Sequence, residues 1–213
     1  MSATLEHVLR GEREFAPGTG AIPLAKLGLT LALCGGAHGL ALGFFALRAE
    51  QAFYSGLKVP LLLGLSTALC CPSFYALNAV LGLRHDFSAA LRGVLCAQAV
   101  VAVVLASFVP VVVFFQASGV SYRGAVLLDG ILFLAASLAG QWTLARHYRP
   151  LVARNRRHLV PRTAWLVLFW FVTIQLAWVL RPFVGAPGLA PSFLRPNAWS
   201  NAYVVLARTV FGA

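Results

Sequence analysis

Apolar residues in this chain gather into five long runs, and most charged residues lie in the short stretches outside them. The runs cover residues 22–47, 57–83, 89–116, 122–145 and 163–184. Each meets or exceeds the roughly 20 residues a helix needs to cross about 30 Å of hydrocarbon. A backbone in hydrocarbon must satisfy its own N–H and C=O groups, so runs of this length predict transmembrane helices. The expected architecture is all-α. It is an integral membrane bundle of five transmembrane helices over 22–184, with short interfacial helices at the termini.

The segments outside the runs carry their own signals. Residues 1–21 form a polar lead in which Ser2 to Arg10 sets Leu5, Val8 and Leu9 on one side of a short amphipathic helix. Gly11 is placed to end it, and Pro17-Gly18-Thr19-Gly20 is loop chemistry. Arg48–Gly56, with Glu50, Gln51 and Tyr54, reads as a connection between the first two runs. Arg84-His85-Asp86 reads as a turn, Ala117–Ser121 as a link, and Arg146–Arg162 as a basic loop. In the tail, 185–213, Pro187, Gly188, Pro191 and Pro196 exclude a helix at first. Trp199, Tyr203, Leu206 and Val210 then recur at helical steps, as in a helix lying in the interface or folded back onto the bundle. No internal repeat is present, which weighs against an inverted-repeat transporter.

Composition agrees with the pattern. Sixty per cent of the 213 residues are hydrophobic and 11% charged, and the mean hydropathy is +0.80. A water-soluble domain of this size could not hide so much apolar surface. The net charge of +11 does not point to nucleic acid, because the cations lie between apolar runs rather than on one polar face. They report topology instead. With the N-terminus inside, the inner segments hold eleven Lys and Arg residues and the outer ones six. Arg146, Arg149, Arg154, Arg156, Arg157 and Arg162 decide that balance. The expected protein is multi-pass, with a cytoplasmic N-terminus and the C-terminus on the opposite side, in a bacterial inner membrane. Its basic loop would meet anionic lipid headgroups, each cation contributing about 1 kcal/mol near such a surface, or an acidic protein partner. The first run is longer than a signal-peptide core and follows Glu6, Arg10, Glu12, Arg13 and Glu14, so it reads as a retained span. Cys34, Cys70, Cys71 and Cys96 all fall inside runs, where cysteine behaves as a small hydrophobe.

Asp129 is the one carboxylate within a run. Ionised in hydrocarbon it costs roughly 3 kcal/mol or more unless it meets water, a cation or a proton. With Ser137 and Gln141 on its helix it forms a candidate polar stripe for a proton or ion. Pairing with Arg123 or Arg181, or hydrogen bonds from the fifth run, is the structural alternative. Gly35, Gly39 and Gly43 sit four apart, a smooth stripe that lets another helix approach closely, within the bundle or from a partner or second copy. Cys34 and His38 are one turn apart, a spacing that suits a metal, but no set of further ligands accompanies them, so no metal, haem or other cofactor is expected. Pro72 and Pro110 interrupt their runs as candidate kinks. Trp142, Trp165, Trp178 and Trp199 fall near predicted span ends as interfacial anchors, and Arg181 would snorkel outward.

The stretch Asn78-Ala79-Val80-Leu81-Gly82 through Asp86-Phe87-Ser88-Ala89-Ala90-Leu91-Arg92, leading to Pro110, lies between the second and third runs. With a polar lead, five spans and a short far-side tail, this layout resembles the Yip-type membrane proteins over residues 25–184. The resemblance implies a non-enzymatic membrane organiser and carries no site residues. The acidic-aromatic motif that eukaryotic members place ahead of the first span is absent here, so a trafficking role does not follow.

The leading expectation is a non-catalytic scaffold, membrane organiser or accessory subunit. Paired carboxylates, a nucleophile–base pair and a phosphate loop are all missing from the sequence. A small ion or proton channel or transporter using Asp129 is the second reading. An intramembrane enzyme, requiring His38, Cys34 and Asp129 to converge, is the third.

Overall fold

The computed structural model describes residues 2–12, 15–17, 21–185 and 192–194. The helix expected over Trp199 to Val210, with Pro187, Gly188, Pro191 and Pro196, lies outside the described residues. Seven α-helices follow one another, with no strand among the described residues. They are α1 (Ser2–Arg10), α2 (Leu24–Gly43), α3 (Ala49–Val80), α4 (Phe87–Ser107), α5 (Val109–Ala117), α6 (Tyr122–Arg154) and α7 (Leu159–Val179). Five stretches are long and apolar enough to cross a membrane: Leu24–Gly43, Ala49–Val80, Arg84–Ala117, Tyr122–Arg154 and Arg156–Val179. The protein is therefore an all-α, multi-pass membrane bundle.

Local chemistry sets the helix ends. α3 stops where Gly82 takes a left-handed φ of 74°. There the Gly82 N–H reaches the Ala79 carbonyl at 3.0 Å and the Leu83 N–H reaches that of Asn78 at 2.8 Å. Gly119, at φ 75°, closes α5 in the same way. Ser121 caps α6 by accepting the Gly124 N–H at 3.2 Å. Pro110 divides the third span into α4 and α5, with Phe108 between them. α3, by contrast, runs unbroken through Pro60 and Pro72, so Pro72 interrupts nothing.

Four boundaries differ from the hydropathy reading. α3 begins at Ala49, so the Arg48–Gly56 connection is helix after its first residue. α6 continues to Arg154, so the basic loop is a helix end, a short 3-10 turn over Arg156–His158 and the first turn of α7. The reason is packing: Leu144, Tyr148 and Leu151, at helical spacing, stay buried against Phe74 and Trp165 past the end of the apolar run. α7 begins at Leu159 and stops at Val179 rather than Val184. Pro182 donates no N–H and disfavours the helical conformation at Arg181.

In space α2 lies against α3 and α4, α4 against α6, and α3 against α7. α1 and Phe15 do not lie apart from the bundle: Val8 and Phe15 are buried with Leu27, Cys96, Ala99 and Val100. The outward faces are more apolar than many inward ones. Phe53, Leu57, Leu61, Leu65 and Leu69, at four-residue steps on α3, are exposed, while Ser55, Lys58 and Ser66 on the same helix are fully buried. Trp165 and Trp178 are buried rather than interfacial, because the inward face of α7 sets Trp165 against Phe74 and Phe169. Trp142 stays exposed. Arg181 is exposed, its guanidinium 4.9 Å over the Trp178 ring.

The glycine stripe faces α3 within the same molecule. A Cβ at Gly39 would overlap the Ser55 carbonyl oxygen, and one at Gly43 the Ala52 Cα. Gly35 has ordinary contact distance to Pro60 and Val59 of the same helix. Overpacking of this kind costs about 1–3 kcal/mol, so Gly39→Ala is expected to lower the thermal midpoint in detergent by several degrees. Gly28→Ala, whose added Cβ meets nothing within 4 Å, should leave the midpoint unchanged or raise it. Equal midpoints for both variants would show that the α2–α3 approach is not tight.

Candidate functional site

Two polar centres lie at the end of the bundle remote from the arginine-rich segment. The first is a stripe on α3. Gln51, Ser55 and Lys58 recur at steps of four and three, so one helix face carries all three, and all are buried. The α3 carbonyls are occupied by their own helix. The stripe therefore reaches across to the segment that follows α7. The Lys58 Nζ donates to the Pro182 carbonyl at 2.7 Å and to the Ser192 carbonyl at 2.9 Å. It also lies 5.5 Å from the Phe193 ring centroid. Gln51 Nε2 donates to the Pro182 carbonyl at 3.1 Å and to the Ser55 hydroxyl at 3.2 Å. The Ser55 hydroxyl donates to the Phe183 carbonyl, and Gln51 Oε1 accepts the Ser192 N–H at 3.4 Å. Tyr54 meets Phe193 edge to face. Residues 181–185 and 192–194 thus form a strap clamped to α3. Among the described residues no carboxylate pairs with Lys58, so carbonyl dipoles and the Phe193 ring face solvate its charge.

The second centre joins α2 to α6. The Asp129 carboxylate lies 3.4 Å from His38 Nε2, a long hydrogen bond or ion pair. The partner is thus His38, not Arg123 or Arg181. His38 is fully buried, its ring edge-on to Phe133 with centroids 5.7 Å apart. Asp129 keeps 15% of its side chain exposed. It lines a small cleft with Leu42, Val112, Gln116, Ala125 and Val184. Gln116 Nε2 donates to the Ala41 carbonyl at 3.0 Å, tying α5 to α2 beside the cleft.

Ser137 and Gln141 do not extend this centre. At about 100° per residue they stand about 80° and 120° around the helix from Asp129, and both are only partly buried. The inward stripe of α6 runs instead through Leu132, Ala136, Gly140, Thr143 and His147. Cys34, one turn from His38, sits in apolar surroundings with Val59, Leu63 and Ala102. Among the described residues no three His, Cys, Asp or Glu side chains come close enough to share a metal ion.

At the other end, Arg149, Arg154, Arg156 and Arg157 are exposed and Arg162 is half-buried. Asp86, in the turn before α4, accepts from Arg154 at 3.3 Å and from the fully buried His158 Nε2 at 3.1 Å. That contact ties the α3–α4 turn to the α6–α7 junction. Arg146 turns away from the others and donates to the Leu9 carbonyl at 3.2 Å, over the end of α1. His147 Nε2 lies 3.0 Å from the Phe15 carbonyl and its Nδ1 3.0 Å from that of Thr143. The polar lead is therefore pinned to α6.

Sequence reasoning singles out Asp129 and notices His38, but misses Gln51, Ser55, Lys58 and the Asp86–His158 contact. The four-and-three spacing of the α3 stripe is a usable signal once that helix is started at Ala49. No family model, curated protein or solved structure matches this sequence or fold.

The clamp makes a direct prediction. Lys58→Met leaves the Pro182 and Ser192 carbonyls with fewer donors, at about 1–3 kcal/mol for a buried unsatisfied group. Proteolytic trimming of the segment beyond Val179 is expected to speed up on the order of tenfold, with α2 to α7 intact. Trimming at the wild-type rate would mean that Lys58 does not hold the strap.

Proposed function

We propose that this protein is a non-catalytic membrane platform whose arginine-rich end lies at the cytoplasmic face and engages anionic lipid headgroups. One observation carries the reading. Arg149, Arg154, Arg156 and Arg157 are exposed around a helix–turn–helix junction whose partners, Asp86 and His158, fix it in place. Cations on such a junction present charge at defined positions and lose less conformational freedom on binding than cations on a loose loop. Asp86 is the one carboxylate among them, and it is already engaged, so the surface keeps a strong positive excess. Each guanidinium near an anionic leaflet contributes about 1 kcal/mol. The same excess supports an N-terminus on the cytoplasmic side. The five-span layout, similar to that of Yip-type membrane organisers, points the same way. A bacterial inner membrane is the setting that the reading assumes.

Lipid retention tests it. Protein extracted gently from mixed zwitterionic and anionic vesicles is expected to carry anionic lipid in several-fold excess over the bulk ratio by native mass spectrometry. Arg149→Gln/Arg156→Gln/Arg157→Gln should bring retention close to the bulk ratio while leaving the Asp86 contacts in place. Equal retention by the variant would overturn the headgroup reading. Recovery of only a lone monomer in mild detergent would remove the accessory-subunit form of it.

A further inference from the structure

We infer that His38 and Asp129 form a proton-binding site reached from the end of the bundle opposite the α6–α7 arginine-rich junction. The inference is independent of the platform reading. Its geometry is one-sided. Asp129 faces the cleft between α2, α5 and α6 with part of its carboxylate exposed. On its other side stands His38, 0% exposed, its Nε2 3.4 Å from the carboxylate. The far nitrogen, His38 Nδ1, is buried and has no hydrogen-bond partner among the described residues. A proton therefore reaches the pair through Asp129.

The surroundings select the ligand. A metal ion needs several oxygen or nitrogen donors, and the cleft offers only one carboxylate and the Gln116 amide among Leu42, Val112, Ala125, Leu128 and Val184. A proton needs only the pair itself. With one shared proton, the imidazole and carboxylate together carry no net charge, whether as imidazolium and carboxylate or as imidazole and carboxylic acid. Without it they leave one negative charge at membrane depth, which costs roughly 3 kcal/mol. Neighbouring elements do little to offset that charge. α5 contributes no ionisable group to the cleft. On α6, Arg123 is exposed at the helix start. Arg181 of the strap stacks on Trp178, and Lys58 of α3 is held by the Pro182 and Ser192 carbonyls. On α2, Cys34 lies one turn away in apolar packing and Lys26 three turns away near the helix start.

A hydrophobic carbodiimide reads the site directly. The protonated carboxyl gives its proton to one carbodiimide nitrogen while its oxygen bonds to the central carbon, and the O-acylisourea rearranges to an N-acylurea with every atom retained. The full-length protein in nanodiscs, treated with dicyclohexylcarbodiimide across a pH series, is expected to carry the adduct on Asp129 by peptide mass spectrometry. Labelling should fall at least tenfold from the acid to the alkaline end. In His38→Gln the profile should differ from that of the wild type, because the imidazole shares the site with the carboxyl. A pair that is purely structural gives an unlabelled Asp129, a flat profile, or the same profile in both proteins, and any of these overturns the inference. Should His38→Gln fail to fold, wild-type protein labelled with ¹⁵N-histidine supplies the second readout. The His38 ring resonances must change over the same pH range as Asp129 labelling, and resonances that stay constant there refute the site.

Discussion

A polar group inside hydrocarbon has no water to turn to, so its partner must come from the protein itself, and that constraint organises this bundle. Small side chains meet it locally. Thr67, Asn78 and Thr143 each donate to the carbonyl four residues earlier on their own helix, at 2.8 to 3.1 Å. Lys58 and Gln51 are too long and too demanding for that solution. They recruit the strap, which has the opposite deficit: beyond Val179 the helix has ended, and the carbonyls of Pro182, Phe183 and Ser192 lack helical donors. Unsatisfied donors on α3 and unsatisfied acceptors beyond α7 cancel each other. The clamp follows from placing a proline just past the end of a membrane helix.

That cancellation works only because α2 and α3 touch at backbone distance. The Ser55 carbonyl lies where a Cβ on Gly39 would be, and the hydroxyl of the same Ser55 holds the Phe183 carbonyl. His38 is the residue before Gly39, so the helix face that carries the imidazole toward Asp129 is fixed by the same contact. A larger residue in the glycine stripe would shift the strap and the His38–Asp129 pair together. Packing and polar satisfaction are therefore not separable terms here, and energies measured at these positions should not add.

Hydropathy made the spans legible because crossing length is a property of sequence alone. It could not give their ends, since a helix continues beyond hydrocarbon wherever one face stays packed. Tyr148 and Leu151 do this for α6, and Gln51 and Ser55 do it for α3. Asp129 was legible as an anomaly of charge, and His38 as a lone histidine in a span. Their pairing was not, because it joins residues 91 apart through the α2–α6 neighbourhood, which no periodicity encodes. The Ser137–Gln141 stripe failed for a simpler reason: steps of eight and twelve drift off a helix face that steps of seven and eleven would keep. Trp165 shows the limit of position as a guide. Near a span end in sequence, it is nonetheless among the largest fully buried side chains.

The two ends of the bundle treat charge in opposite ways. At the arginine-rich end the exposed cations, Arg149, Arg154, Arg156 and Arg157, keep their water, so each adds a modest, screened attraction. At the other end Lys58 and Asp129 are withdrawn from solvent, and each must be neutralised by a chosen group: carbonyl dipoles for the ammonium, an imidazole for the carboxylate. The short segment after α7 serves both. Pro182 accepts from Lys58, and Val184, two residues on, walls the cleft that opens on Asp129. Residues 182–184 span at most about 11 Å when extended, so a displacement large enough to release the ammonium must also reshape the entrance to the carboxylate. The two buried charges are in this sense one mechanical unit, joined through a backbone that carries no charge of its own.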